Sequence, residues 1–202
     1  MKIINCEQRS EEWYKCRLGI PSSSSFDKII TNNGAPSKQA DDYALELAME
    51  RITGHAEDSF QSQAMKTGIE REDNARLEYE VENGCIVEQV GFCIHDSGMF
   101  GNSPDGLMQN ISKGMEIKCP KSKTFARYKM NPAQAVSDYK QQLQGSMLVS
   151  GYPTWDLVVY YPGADLLIIE VKRDEEYCNA LFQQLYKFNK ELDRIEQQLR
   201  SR

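Results

Sequence analysis

The sequence predicts a mixed α/β fold, with one central mixed sheet flanked by helices, in a single domain over residues 1–202. Three observations predict it. Long, separated stretches carry apolar residues at helical spacing. Between them lie short apolar or alternating runs closed by the turn signals Asp96-Ser-Gly98, Asp105-Gly106 and Pro162-Gly163. Helical and strand-like segments also interleave along the chain instead of segregating, which favours one sheet covered by helices. A chain of 202 residues suits a single substantial core.

Taken in order, the four serines at 22–25 precede Phe26-Asp-Lys-Ile-Ile30 and read as the N-cap of a short helix. Residues 41–53 place Tyr43, Ala44, Leu47, Ala48 and Ile52 on one helical face, and Gly54 ends that helix. A longer helix over 63–83 stops at Gly84. Strands are expected at 86–95, 99–101, 107–109 and 115–118, joined by Asp-Ser-Gly and Asp-Gly turns. Residues 133–150 form a helix stopped by Gly151-Tyr-Pro153. Strands at 155–161 and 166–172 flank the turn at 162–165. Finally, 174–200 is a long amphipathic helix with Leu181, Leu185, Phe188, Leu192, Ile195 and Leu199 on one stripe.

The bulk properties exclude several classes. No apolar run approaches the roughly 20 residues that cross a bilayer, and no signal-peptide pattern is present, so a cytoplasmic location is expected. The six cysteines are widely spaced without a C-x-x-C pair, which argues against a zinc ribbon and for free thiols. The two histidines, His55 and His95, are too far apart in sequence to suggest a cluster. They read as structural or surface groups, Asp96 as a turn residue, and Trp13 as core. A formal net charge of −6 is unfavourable for binding a polyanion. The charge is uneven, however: 113–129 holds six basic residues against the single acid Glu116, and 70–82 holds six acids against two arginines. A basic strip beginning beside Glu116 could follow a phosphate backbone.

Asp105 lies at a turn before an apolar run, and Glu116-Ile-Lys118 lies on the next one. Side chains two apart on a strand share a face, so Glu116 and Lys118 point together while Ile117 turns into the core. Two carboxylates can hold a divalent cation, the Ile117 carbonyl can add an oxygen, and an ammonium beside them can orient a water or stabilise developing charge. Such a set suits metal-dependent phosphodiester hydrolysis. By itself, an Asp followed at variable distance by Glu-x-Lys also describes a turn and an exposed cross-strand pair.

Five motifs in fixed order narrow the choice. They are Trp13-Tyr-Lys-Cys-Arg-Leu-Gly19 with Ser24 after it, Thr67-Gly-Ile-Glu-Arg-Glu-Asp-Asn-Ala-Arg76, Ser103-Pro-Asp-Gly-Leu107, Met115-Glu-Ile-Lys-Cys-Pro120 and Tyr139-Lys-Gln-Gln-Leu-Gln144. From about Gln8 to the terminal helix, the chain resembles the phage lambda exonuclease family, the viral-type recombination branch of the PD-(D/E)XK nucleases. The resemblance implies a restriction-endonuclease-like core. It also implies a Mg2+-dependent, processive 5′→3′ exonuclease on double-stranded DNA ends, with two metal ions and with Mn2+ able to substitute. Its products would be 5′-mononucleotides and a 3′ single strand for a single-strand-annealing recombinase. By the same likeness Asp105, Glu116 and the Ile117 carbonyl are metal ligands, Lys118 is the catalytic lysine, and Glu72 and Gln142 complete the centre. Arg17 and Ser24 would bind the 5′-terminal phosphate, where an Arg fork and a hydroxyl at a helix start suit an anion. A homotrimeric ring in a bacterial host, phage or prophage encoded, is the implied setting. An endonuclease with the same core and a DNA-binding protein without catalysis are the competing readings.

Overall fold

The computed structural model describes residues 1–56 and 63–201, and the backbone alone over 63–70. Side chains before Arg71 in the motif at 67–76 therefore lie outside the described residues. The mixed sheet contains β4 (Gly106–Met108), β5 (Lys113–Lys118), β6 (Thr154–Val159) and β7 (Leu167–Lys172), hydrogen-bonded in that order. β5 and β6 are parallel, while β4–β5 and β6–β7 are antiparallel. A parallel pair needs a crossover. It is supplied by α4 (Ser122–Met130), α5 (Pro132–Asp138) and α6 (Lys140–Ser150).

Each face of this sheet has its own core. Along β6, Trp155, Leu157 and Val159 belong to the larger cluster, with Phe26, Leu143, Met147 and Leu185. Val158 points oppositely and joins Met115, Ile117 and Tyr79 in the smaller one. Alternation with both faces buried is what a central strand requires. α3 (Gln63–Asn83) covers the smaller cluster through Ala75 and Tyr79. α2 (Ala40–Thr53) and α7 (Glu175–Arg200) pack on each other beside the larger one, with the Tyr43 and Phe188 rings 5.5 Å apart. Gly114 is needed on β5 because a Cβ there would sit 2.3 Å from the Trp155 ring.

Several expectations are refined. A second, three-stranded antiparallel sheet joins β1 (Lys2–Ile4), β2 (Phe92–Ile94) and β3 (Gly101–Asn102). A single bridge joins β3 to Ser22 through Gly101, and the segment leading into β2 bridges to β4 through Glu88 and Leu107. The strand expected over 86–95 thus shrinks to Phe92–Ile94, because residues 86–91 pass between two sheets. α1 (Glu11–Arg17) and α4 went unpredicted. One or two buried apolar residues on each, Trp13 on α1 and Phe125 with Tyr128 on α4, leave little periodicity. The helix expected over 133–150 breaks at Tyr139 into α5 and α6. The serines at 22–25 do not cap an α-helix. They open a 3-10 helix, Ser23–Lys28, and Ser22 at its N-cap makes no side-chain capping bond. The terminal stripe is buried from Leu181 to Ile195, while Leu199 is exposed. Among the described residues the six cysteines are free, and no helix is long and apolar enough to cross a membrane.

Candidate active site

The geometry begins where the β4–β5 pairing stops. Gly106 pairs with Met115, and continuing that register two residues sets Pro104 opposite Ile117. Proline has no N–H to offer a strand partner. The Asp105 carboxylate takes over instead, its Oδ2 accepting the Ile117 N–H at 2.7 Å. The Pro104 carbonyl turns away and accepts from Gln8 Nε2 at 2.8 Å, and the same amide donates to the Val90 carbonyl at 2.8 Å. A residue's N–H and C=O point to the same strand edge, so the Ile117 carbonyl lies on the Asp105 side with no proline N–H to meet it. Asp105 is not the turn of a hairpin. It occupies a bend directly before β4, while the β4–β5 connection is a short 3-10 helix, Gln109–Ile111, with Ser112 in the left-handed region (φ 52°).

On the face of β5 opposite the Ile117 side chain, Glu116 is buried at 4% exposure. Its Oε1 accepts from Lys118 Nζ at 2.8 Å and from Gln142 Nε2, on α6, at 2.5 Å. Its Oε2 is buried without a hydrogen-bond partner among the described residues. Lys118 also lies 4.9 Å from the Tyr139 ring centroid, and the break between α5 and α6 falls at Tyr139. Glu72 on α3 lines a cavity of about 340 Å³ together with Asp105, Arg9 and Arg76. Its carboxylate is ion-paired to Arg9.

These groups strain one another electrostatically. Burial, opposed by Lys118 and reinforced by Asp105, pushes the Glu116 carboxyl up to about 8. Burial likewise raises Asp105, against the pull of Lys118, and raises Glu72, with Asp105 adding to it. Burial favours the neutral amine of Lys118, but Glu116 and Asp105 outweigh it and hold the ammonium up at about 12. Two crowded carboxylates, Asp105 and Glu116, with a buried Glu116 oxygen lacking a partner and a spare carbonyl, make a donor set that fits a hard divalent cation. Among the described residues no three His, Cys, Asp or Glu side chains group as a complete cage. The set on offer is two carboxylates and a carbonyl, with Glu72 turned to Arg9.

The second cluster stands apart from this centre. Arg17 places its guanidinium 4.0 Å from the Trp13 ring centroid and donates to Ser22 Oγ at 3.2 Å. Ser22 Oγ in turn lies 3.2 Å from Ser24 Oγ. Arg17 and Ser24 are therefore brought together through Ser22, a residue that nothing within a run of four serines distinguishes. Burial lowers the Arg17 pKa by disfavouring its charge, and among the described residues Arg17 has no ion-pair partner. An anion would relieve both conditions. Trp13 joins the two clusters: its Nε1 donates to the Gly91 carbonyl at 3.1 Å and to Ser103 Oγ at 3.0 Å, two residues before Asp105.

The basic strip at 113–129 is not one surface. Lys113 is consumed by Asp156 (3.1 Å) and Glu170 (2.7 Å) at the far end of β5. Lys121, Lys123, Arg127 and Lys129 are exposed on and beside α4, which begins just after Lys118.

Residues 12–153 match the family model of the YqaJ-like viral recombinase domain. No curated protein matches the chain. Among solved structures, an alkaline exonuclease (LHK-Exo) from Laribacter hongkongensis is similar over 95% of this chain and 97% of its own, with a TM-score of 0.85 and 28% identity. The same enzyme in complex with dAMP is similar with a TM-score of 0.84. A phage-related exonuclease from Haemophilus somnus shares the fold at a TM-score of 0.70 and 15% identity, over 89% of this chain and 96% of its own. The expected restriction-endonuclease-like core, a mixed sheet flanked by helices, is borne out.

Proposed function

The chain belongs to the family of YqaJ-like viral recombinase domains, in keeping with its lambda-exonuclease-like motifs, and we propose that it is a divalent-cation-dependent exonuclease that shortens double-stranded DNA from its ends. One observation carries this reading: a carboxylate–lysine centre tied through a single tryptophan to a separate anion pocket. An endonuclease has no use for the second element. The likeness to an alkaline exonuclease supports the same reaction class.

In this proposal Asp105, Glu116 and the Ile117 carbonyl hold Mg2+, or Mn2+ in its place. A cation held there would supply water activation and charge neutralisation at the phosphate. Gln142 and Lys118 both hold Glu116 Oε1, which leaves Oε2 as the free oxygen. Lys118 stays cationic and sets its ammonium where the transition state gains negative charge. Glu72 adds a carboxylate from α3 once Arg9 releases it. Arg17 and Ser24, bridged by Ser22, take the 5′-terminal phosphate. Digestion runs 5′→3′ and processively, releases 5′-mononucleotides and leaves a 3′ strand for a single-strand-annealing recombinase. Three copies closed into a ring around the duplex would keep it from dissociating.

The test compares linear 5′-phosphorylated, linear 5′-hydroxyl and closed circular duplexes with Mg2+, each linear strand being labelled at its 5′ end and internally. Phosphorylated ends are expected to disappear first and the circle to persist. Cutting of the circle at the linear rate would transfer the reading to an endonuclease. Glu116→Ala is expected to lose roughly a thousandfold in rate while retaining DNA binding; near-wild-type hydrolysis would show that the metal site is misassigned.

A further inference from the structure

Arg9 is in the left-handed region, at φ 70°, where a residue with a Cβ is strained. Its backbone cannot easily relax, because the preceding Gln8 is tied to two carbonyls, those of Val90 and Pro104. The outcome of this strained placement is a guanidinium set on Glu72, in the same cavity as Asp105. A second arginine there, Arg76, is fully engaged. It is ion-paired to Asp73, and both of its terminal nitrogens reach the Gln89 amide oxygen at 2.9 Å in the orientation that satisfies that amide. Arg76 is 13% exposed, whereas Arg9 is 38% exposed and has Glu72 as its one ion-pair partner among the described residues. Of the two, Arg9 is the arginine with freedom to move.

We propose that Arg9 is a substrate-contacting residue parked on Glu72: it neutralises the carboxylate cluster in the absence of a divalent cation, and it passes to a phosphate of the DNA backbone when a cation claims Glu72. This rests on the nuclease reading above. A guanidinium that pairs with a carboxylate pairs equally well with a phosphodiester, so the exchange replaces the single Nη2–Oε2 contact to Glu72 with another anionic partner. It also couples two events: cation arrival frees the arginine, and the arginine then finds an anion only when substrate is present.

Arg9→Gly tests this cleanly, because glycine suits the left-handed backbone and the fold is expected to keep its thermal midpoint. Mn2+ titrations followed by electron paramagnetic resonance, on protein without DNA, should show R9G binding the ion about fivefold more tightly than wild type. With linear DNA and saturating Mg2+, kcat/KM should fall by roughly tenfold to a hundredfold, and its dependence on log salt should become shallower by about one. R9K keeps the charge but not the fork, so it should restore the competition with Mn2+ and not the kcat/KM. Equal Mn2+ affinity in wild type and R9G, or an unchanged kcat/KM, overturns the proposal. Wild-type protein that leaves DNA intact with every divalent cation would overturn the nuclease reading itself, a result that no comparison of Arg9 variants can produce.

Discussion

Single side chains here are governed by the partners that folding sets against them. Arg17 is a half-buried guanidinium whose partners are an indole and a hydroxyl. Arg17→Ala should slow digestion of 5′-phosphorylated ends by roughly tenfold to a hundredfold, the worth of a hydrogen bond to a charged group. The same change should bring their rate down to that of 5′-hydroxyl ends; an undiminished preference for phosphate would remove Arg17 from the pocket. His95 offers a pH signature. Its ring stacks on Phe100 at 4.5 Å, and its Nδ1 accepts the Ser97 N–H at 3.1 Å, which a protonated ring could not do. Burial accordingly lowers its pKa below the usual histidine range. The unfolded chain binds the proton more readily, so folding stability is full above about pH 6.5 and is lost as pH falls through the lower, folded value. Thermal midpoints should therefore fall more steeply for wild type than for His95→Gln between neutral and mildly acidic pH. Parallel curves would refute the assignment. The residues of the centre were visible in sequence as Asp105 and Glu116-Ile-Lys118 because strand alternation alone puts Glu116 and Lys118 on one face. Arg9, Gln8 and Ser22 were not visible. Each acts through a contact that only tertiary folding creates, and none sits in a periodic element.

Elements were legible in proportion to their length. α7 follows a continuous apolar stripe, and Leu181, Leu185 and Leu192 are 0% exposed. Leu185→Ala should cost about 2–5 kcal/mol through lost transfer energy and a cavity, read by denaturant unfolding. A loss below about 1 kcal/mol would mean that the helix repacks. Short elements escaped for a physical reason. α1 buries one residue, Trp13, and β1 spans three residues, so neither completes a period. The overlong strand at 86–95 arose from apolar Ile86, Val87 and Val90, yet Ile86 is 88% exposed and Val87 and Val90 join separate clusters. Alternation cannot report that a segment serves two layers. α4 was hidden by its own basic character, its helical face amounting to Phe125 and Tyr128.

Over the whole molecule, a net charge of −6 is compatible with the proposed DNA substrate because positive charge is spent locally. Arg17 is half-buried in its pocket, Lys118 faces Glu116, and Lys121, Lys123, Arg127 and Lys129 are exposed on and beside α4, next to the centre. Lys113 is invested in the sheet's far end, with Asp156 and Glu170. Trp13 gives this arrangement a metric property. One rigid indole carries Arg17 on its face and grips Ser103 with its nitrogen. In the proposed reaction the span from anchored terminus to cleaved linkage would thereby be set like the jaws of a caliper, and the length of the released fragment would be a dimension of the protein and not a matter of timing. Trp13→Phe, which keeps a ring under Arg17 but lets go of Ser103, should broaden the products from mononucleotides to a mixture of lengths on a sequencing gel. Mononucleotides alone, released at a reduced rate, would show that the gauge is cut elsewhere.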